Sequence, residues 1–139
     1  MLACWTLIQV QAAELEWLTD LPKAQARAKA ENKMVLLDFT GSDWCPPCKA
    51  LHAAVLNSDE FAAYAKKNLV LLMADFPKAK PQSTELKKAN AELAKKFEIE
   101  GYPTIIVLDS TGKQLQKDTG YDGAKPKQFI AKIKALKKK

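Results

Sequence analysis

The stretch Met34-Val35-Leu36-Leu37-Asp38-Phe39-Thr40-Gly41-Ser42-Asp43-Trp44-Cys45-Pro46-Pro47-Cys48-Lys49 decides the fold. From Met34 to Phe39 only Asp38 interrupts an apolar run, the pattern of a strand buried on both faces. Gly41-Ser42-Asp43 turns the chain, and a helix then starts around Cys45. Its apolar positions Cys48, Leu51 and Val55 fall at i, i+3 and i+7. Pro46 and Pro47 suit a first helical turn, where missing N–H donors cost least. Two cysteines separated by two residues therefore stand where a buried strand hands over to a helix.

Toward the N-terminus, Leu15 to Leu18 reads as a short strand. Asp20 is placed to cap a helix that takes Pro22 in its first turn and runs to Glu31. Beyond the cysteines, Ser58 followed by Asp59 and Glu60 is an N-cap for a helix over Phe61 to Lys67. Leu69 to Phe76 is a second buried strand, and Pro77 to Ser83 a surface loop. Leu86, Ala89, Leu93 and Phe97 mark one helical face. Thr104 to Leu108 is a third strand, Asp109-Ser110-Thr111-Gly112 a hairpin turn, and a polar strand follows to about Thr119. Phe129, Ile133 and Leu136 form the buried stripe of a last helix. This alternation predicts an α/β domain with a βαβ start and a largely parallel sheet, to which the hairpin adds an antiparallel edge.

Residues 14–139 read as one domain, and 47% apolar content within 139 residues is enough for a core. Residues 1–13, MLACWTLIQVQAA, are mostly apolar and end on Ala12-Ala13, as a signal-peptide remnant would; an N-terminal extension packed as a strand is the alternative. The chain has no run of 18 apolar residues, so no stable membrane insertion is expected. The net charge of +6 gathers in part at Lys132, Lys134, Lys137, Lys138 and Lys139. No aromatic residues interleave with these lysines, which makes them a solvated helix face rather than a nucleic-acid platform.

Three cysteines are too few for a disulfide-stapled scaffold. Zinc would need Cys45, Cys48, His52 and Cys4 together, every soft ligand in the chain, and haem attachment wants a histidine where Lys49 stands. Neither metal nor organic cofactor is expected. His52, the single histidine, reads as an exposed helix position, with a modest electrostatic influence on the cysteines as the alternative. A thiol–disulfide pair needs a thiolate to attack and a second thiol to resolve. Cys45, at the positive end of the helix, meets the first need, since a free thiol with a pKa of roughly 8.5 is only about 3% thiolate at pH 7. Cys48, one turn further in, meets the second. The prolines remove N–H groups that would otherwise bond the Cys45 sulfur.

Together with Gly101-Tyr102-Pro103-Thr104 before a strand, Trp44-Cys45-Pro46-Pro47-Cys48-Lys49 resembles the thioredoxin superfamily over nearly the whole chain. Leu37 to Trp44 and Asn57-Ser58-Asp59-Glu60-Phe61 are similar to bacterial extracytoplasmic thioredoxin-like proteins, the C-terminal domain of DsbD among them. The Cys-Pro-Pro-Cys spacer is similar to that of tryparedoxins and nucleoredoxin. The resemblance implies a thioredoxin fold, a central mixed sheet flanked by helices on both faces, and thiol–disulfide exchange with protein partners. Those partners would be disulfide substrates and an upstream redox protein, met by a monomer in the periplasm or another extracytoplasmic space, with the cytoplasm as alternative. It further implies a cis Pro103, the Tyr102 backbone beside Cys45 to receive an extended segment, and Trp44 bordering that surface. Asp38 resembles the buried acid that moves the proton of Cys48, and an apolar strand should raise its pKa. Two departures stand out: Cys45 follows Asp38 by seven positions where thioredoxins usually have six, and Leu71 falls where they place a lysine. A non-catalytic adaptor that binds segments in the Pro103 groove is the rival reading; a peroxidase would use a lone cysteine in another motif.

Overall fold

The computed structural model describes residues 15–137. The apolar leader, and the choice between signal remnant and packed strand, lies outside them. A five-stranded sheet runs in the order β1-β3-β2-β4-β5, formed by Trp17–Leu18 (β1), Met34–Thr40 (β2), Leu69–Asp75 (β3), Thr104–Leu108 (β4) and Gln114–Thr119 (β5). The helices are Leu21–Glu31 (α1), Pro46–Leu51 (α2), Asp59–Asn68 (α3), Thr84–Lys96 (α4) and Pro126–Leu136 (α5).

β2 is the middle strand, and all seven of its residues are buried. Because successive side chains point to opposite faces, it builds two core layers at once. Met34 and Leu36 join Leu71, Ile105 and Val107 under α3, α5 and the end of α2. Val35, Leu37 and Phe39 join Leu72, Ile106 and Leu108 under α1 and α4. The sheet is less parallel than the strand–helix alternation suggests. β1 and β2 both pair parallel with β3, but β4 pairs antiparallel with β2 as well as with β5. The long connection through α4 brings β4 back reversed beside the centre of the sheet, so the antiparallel part is two pairs and not an edge.

Local chemistry sets the helix ends. Asp20 accepts from the Lys23 N–H at 3.0 Å, and α1 ends at Asn32 in the left-handed conformation (φ 53°) that asparagine tolerates. Ser58 caps α3 and Ser83 caps α4. Two details differ from the sequence pattern. Ala89 of the expected α4 stripe is exposed, while Asn90 is buried and donates to the Asp75 carbonyl at 3.0 Å. The helix after Cys45 is also not regular: α2 gives way to a π-helical turn over His52–Leu56, closed by the Asn57 N–H on the His52 carbonyl at 2.8 Å.

Candidate active site

Cys45 is the N-cap of α2, with extended backbone (φ −96°, ψ 106°). Pro46 and Pro47 fill the first two helical positions and have no N–H to offer. The first N–H available is that of Cys48, which donates to the Cys45 sulfur at 3.4 Å. The two cysteines form a disulfide with Cα atoms 5.2 Å apart. Cys48 is fully buried and Cys45 nearly so, at 3% exposure, while both prolines are exposed. The Gly41 N–H lies 3.5 Å from the Cys48 sulfur. Gly41 cannot carry a side chain here, because a Cβ would sit 2.6 Å from Cζ2 and Nε1 of the Trp44 indole.

Trp44 is half-buried at the rim of the pair. Its Nε1–H donates to the Phe76 carbonyl at 2.7 Å, and its ring meets Tyr102 edge-on at 5.8 Å. The Lys78 ammonium lies 4.1 Å from the centre of that indole. Asp43, one residue earlier, accepts three consecutive N–H groups, those of Lys78, Ala79 and Lys80, at 2.8 to 2.9 Å. These bonds hold its carboxyl down at about 2, below the usual 3.8. The Pro77–Ser83 loop is thereby tied to the cysteine loop. On the other side, the Tyr102–Pro103 peptide is cis, and the Tyr102 carbonyl oxygen lies 3.7 Å from the Cys45 sulfur. Cys45, Trp44, Tyr102 and Pro103 are thus brought together, with Trp44 and Tyr102 half-buried over the buried Cys45 and Pro103.

Asp38 lies fully buried on the β2 face that looks toward α2, in register with Met73 of β3 and Ile105 of β4. Its partner is His52, whose Nε2 is 2.6 Å from Oδ2. The histidine read from sequence as an exposed helix position is instead half-buried, with a side chain only 21% exposed and turned onto the acid. The periodicity places His52 one turn after Cys48, on the same side of α2, and a carboxylate in an apolar strand needs a partner; together those two signals could have found the pair. Burial pushes the Asp38 carboxyl up and the bond to His52 opposes that rise; Asp38 in turn holds the imidazole above its usual range. Leu71 sits in the apolar layer, so the group facing the acid comes from the helix and not from β3. Asp75 adds a second negative charge nearby and is itself held by the Ser42 N–H and hydroxyl at 3.0 and 2.6 Å. Neither Asp75 nor Asp43 is singled out by any sequence pattern, because their partners lie more than 30 positions away.

Among the described residues no group of three or more His, Cys, Asp or Glu side chains could hold a metal ion. None of their helices is long and apolar enough to cross a membrane.

A family model described as a thioredoxin-like domain matches residues 21–137. The disulfide bond reductase DsbH of Chlamydia pneumoniae is 32% identical over 129 residues, which cover 93% of this chain and 76% of that protein. The thiol:disulfide interchange protein DsbD of Vibrio cholerae is 32% identical over 120 residues, 85% of this chain but 18% of DsbD. A solved DsbH oxidoreductase superposes with a TM-score of 0.83 at 29% identity, covering 99% of this chain and 94% of that one. The oxidised C-terminal domain of Neisseria meningitidis DsbD, at 23% identity and a TM-score of 0.59 over 87% of this chain and 99% of that one, shares the fold. With a paired Cys45 and Cys48 at the head of α2 and relatives of this kind along nearly its whole length, the chain belongs to the thioredoxin-like family of thiol–disulfide oxidoreductases.

Proposed function

We propose that the protein is a disulfide reductase or electron-relay thioredoxin in which Cys45 attacks, Cys48 resolves and Asp38 receives the Cys48 proton. The observation that carries this reading is the asymmetry of the pair. Cys45 keeps a narrow opening, at 3% exposure, and its sulfur lies 3.7 Å from the Tyr102 carbonyl oxygen, whereas Cys48 has no exposure at all. An extended substrate segment laid along Tyr102 and Pro103, and bordered by Trp44, Pro46 and Pro47, would bring its own disulfide to Cys45 and not to Cys48.

The exchange runs in two displacements. The Cys45 thiolate attacks one substrate sulfur; the substrate S–S bond breaks, and the departing sulfur leaves as a thiolate that takes a proton from water. Cys48 then gives its proton to Asp38, and its thiolate attacks the Cys45 sulfur. The mixed disulfide breaks, the Cys45–Cys48 bond forms, and the second substrate sulfur departs and is protonated. Two electrons pass from the cysteine pair to the substrate, and an upstream dithiol protein returns them. The partners are thus proteins on both sides of the cycle, served by a monomer with no metal or organic cofactor. An extracytoplasmic site of action belongs to the same proposal, supported by the resemblance of the cysteine loop and of Asn57 to Phe61 to extracytoplasmic thioredoxin-like proteins.

Trapping tests the roles. With Cys48→Ser, Cys45 should be caught with substrate as a stable mixed disulfide; with Cys45→Ser, dithiothreitol-driven insulin reduction should vanish and nothing should be trapped. Capture of substrate on Cys48 in Cys45→Ser would reverse the assignment.

A further inference from the structure

Asp38 has two oxygens and one partner. Oδ2 is bonded to His52 at 2.6 Å, while Oδ1 is buried without a partner among the described residues. The groups that face this carboxyl are few. β3 contributes Met73 and the negative Asp75, β4 contributes Ile105, and the π-helical turn that follows α2 contributes His52, one turn beyond the buried Cys48. His52 is the one group among them that can carry positive charge. Burial and the neighbouring Asp75 both favour a protonated Asp38, and a protonated acid cannot accept a proton. A cation bonded to Oδ2 reverses that preference and leaves Oδ1 as the open acceptor.

We propose that His52 is a positioning residue for disulfide exchange: its imidazolium holds Asp38 as the carboxylate that takes the Cys48 proton. The inference rests on the reading of Asp38 as proton acceptor given above. A histidine suits the task because it can lose its charge near neutral pH and its ring keeps contact with solvent, at 21% exposure. Exchange at neutral pH would then depend on a group whose side-chain bond is to the acid and not to either cysteine.

The test follows resolution, the release of substrate thiol from a preformed mixed disulfide, across pH 5 to 9. In His52→Gln the rising limb of the profile should move to higher pH. The rate at pH 7 should fall roughly tenfold for each unit of displacement, with little change at the alkaline end. His52→Lys, which keeps a cation, should restore the neutral rate. Asp38→Asn should flatten the profile, and Asp38→Asn with His52→Gln should match Asp38→Asn alone. His52 is the single histidine, so its imidazole gives one nuclear magnetic resonance titration, whose midpoint should drop in Asp38→Asn. An unmoved profile in His52→Gln beside a flattened one in Asp38→Asn would overturn the role of His52 and leave that of Asp38 standing. A wild-type profile in Asp38→Asn would remove the acceptor and this proposal with it. An imidazole that titrates alike in wild type and Asp38→Asn would show that the two groups are not coupled.

Discussion

Asp43 is half-buried, and three backbone N–H groups converge on its charged form and hold its carboxyl well below the ordinary carboxylate range. The sign of the consequence follows from the direction of the shift. A folded-state value of about 2 against the usual 3.8 means a contribution fully present above the unfolded value and lost as pH falls from about 4 toward 2. The amide resonances of Lys78, Ala79 and Lys80 should therefore share one inflection in that window, and Asp43→Ala should abolish it. Gly41 gives a second prediction at the same scale. Gly41→Ala drives a methyl group into the Trp44 indole, which must leave its bond to the Phe76 carbonyl. A loss of about 1–3 kcal/mol on thermal unfolding, with slower insulin reduction, is the expected result. In sequence Gly41 and Asp43 read only as a turn. What each one touches is decided by a strand end and a loop more than 30 positions away, and no local pattern carries that information.

The elements were far more legible than their contacts. The apolar run of β2, the serine caps of α3 and α4 and the proline-led start of α2 follow from spacing and capping chemistry that act within a few residues. Two elements show where such reasoning stops. Periodicity extends the helix after Cys45 as a regular one, whereas the turn at His52–Leu56 widens to five-residue bonding. In α4, Asn90 takes a buried position beside Leu93 and leaves Ala89 in solvent, since the end of β3 offers a carbonyl to be bonded. Asn90→Ala would leave the Asp75 carbonyl with Gln82 as its remaining side-chain donor. We expect a cost of about 1–3 kcal/mol in denaturant midpoints for that change, because the fully buried Asn90 side chain and its bond to that carbonyl are both lost. Ala89→Ser, on the exposed neighbour, should stay within about 0.5 kcal/mol of wild type.

At the scale of the molecule, the two-layer plan was readable because β2 and β3 are apolar on both faces, which requires helices above and below. The antiparallel pairing of β4 with β2 was not, since pairing direction depends on how a long connection packs and leaves no mark in the strand itself. Both cysteines stand at one end of this frame, three residues apart. That closeness ties thermal stability to electron affinity. Oxidised and reduced protein, folded and unfolded, form a closed thermodynamic square, so any preference of the native fold for one redox form must appear as a difference in melting. Every 1.4 kcal/mol by which the fold favours the disulfide lowers its potential by about 30 mV relative to the unfolded chain. A reductase should therefore melt at a higher temperature when oxidised than when reduced, and an oxidant the other way round. Two calorimetric scans, one with dithiothreitol and one without, would read the direction of electron flow from heat alone.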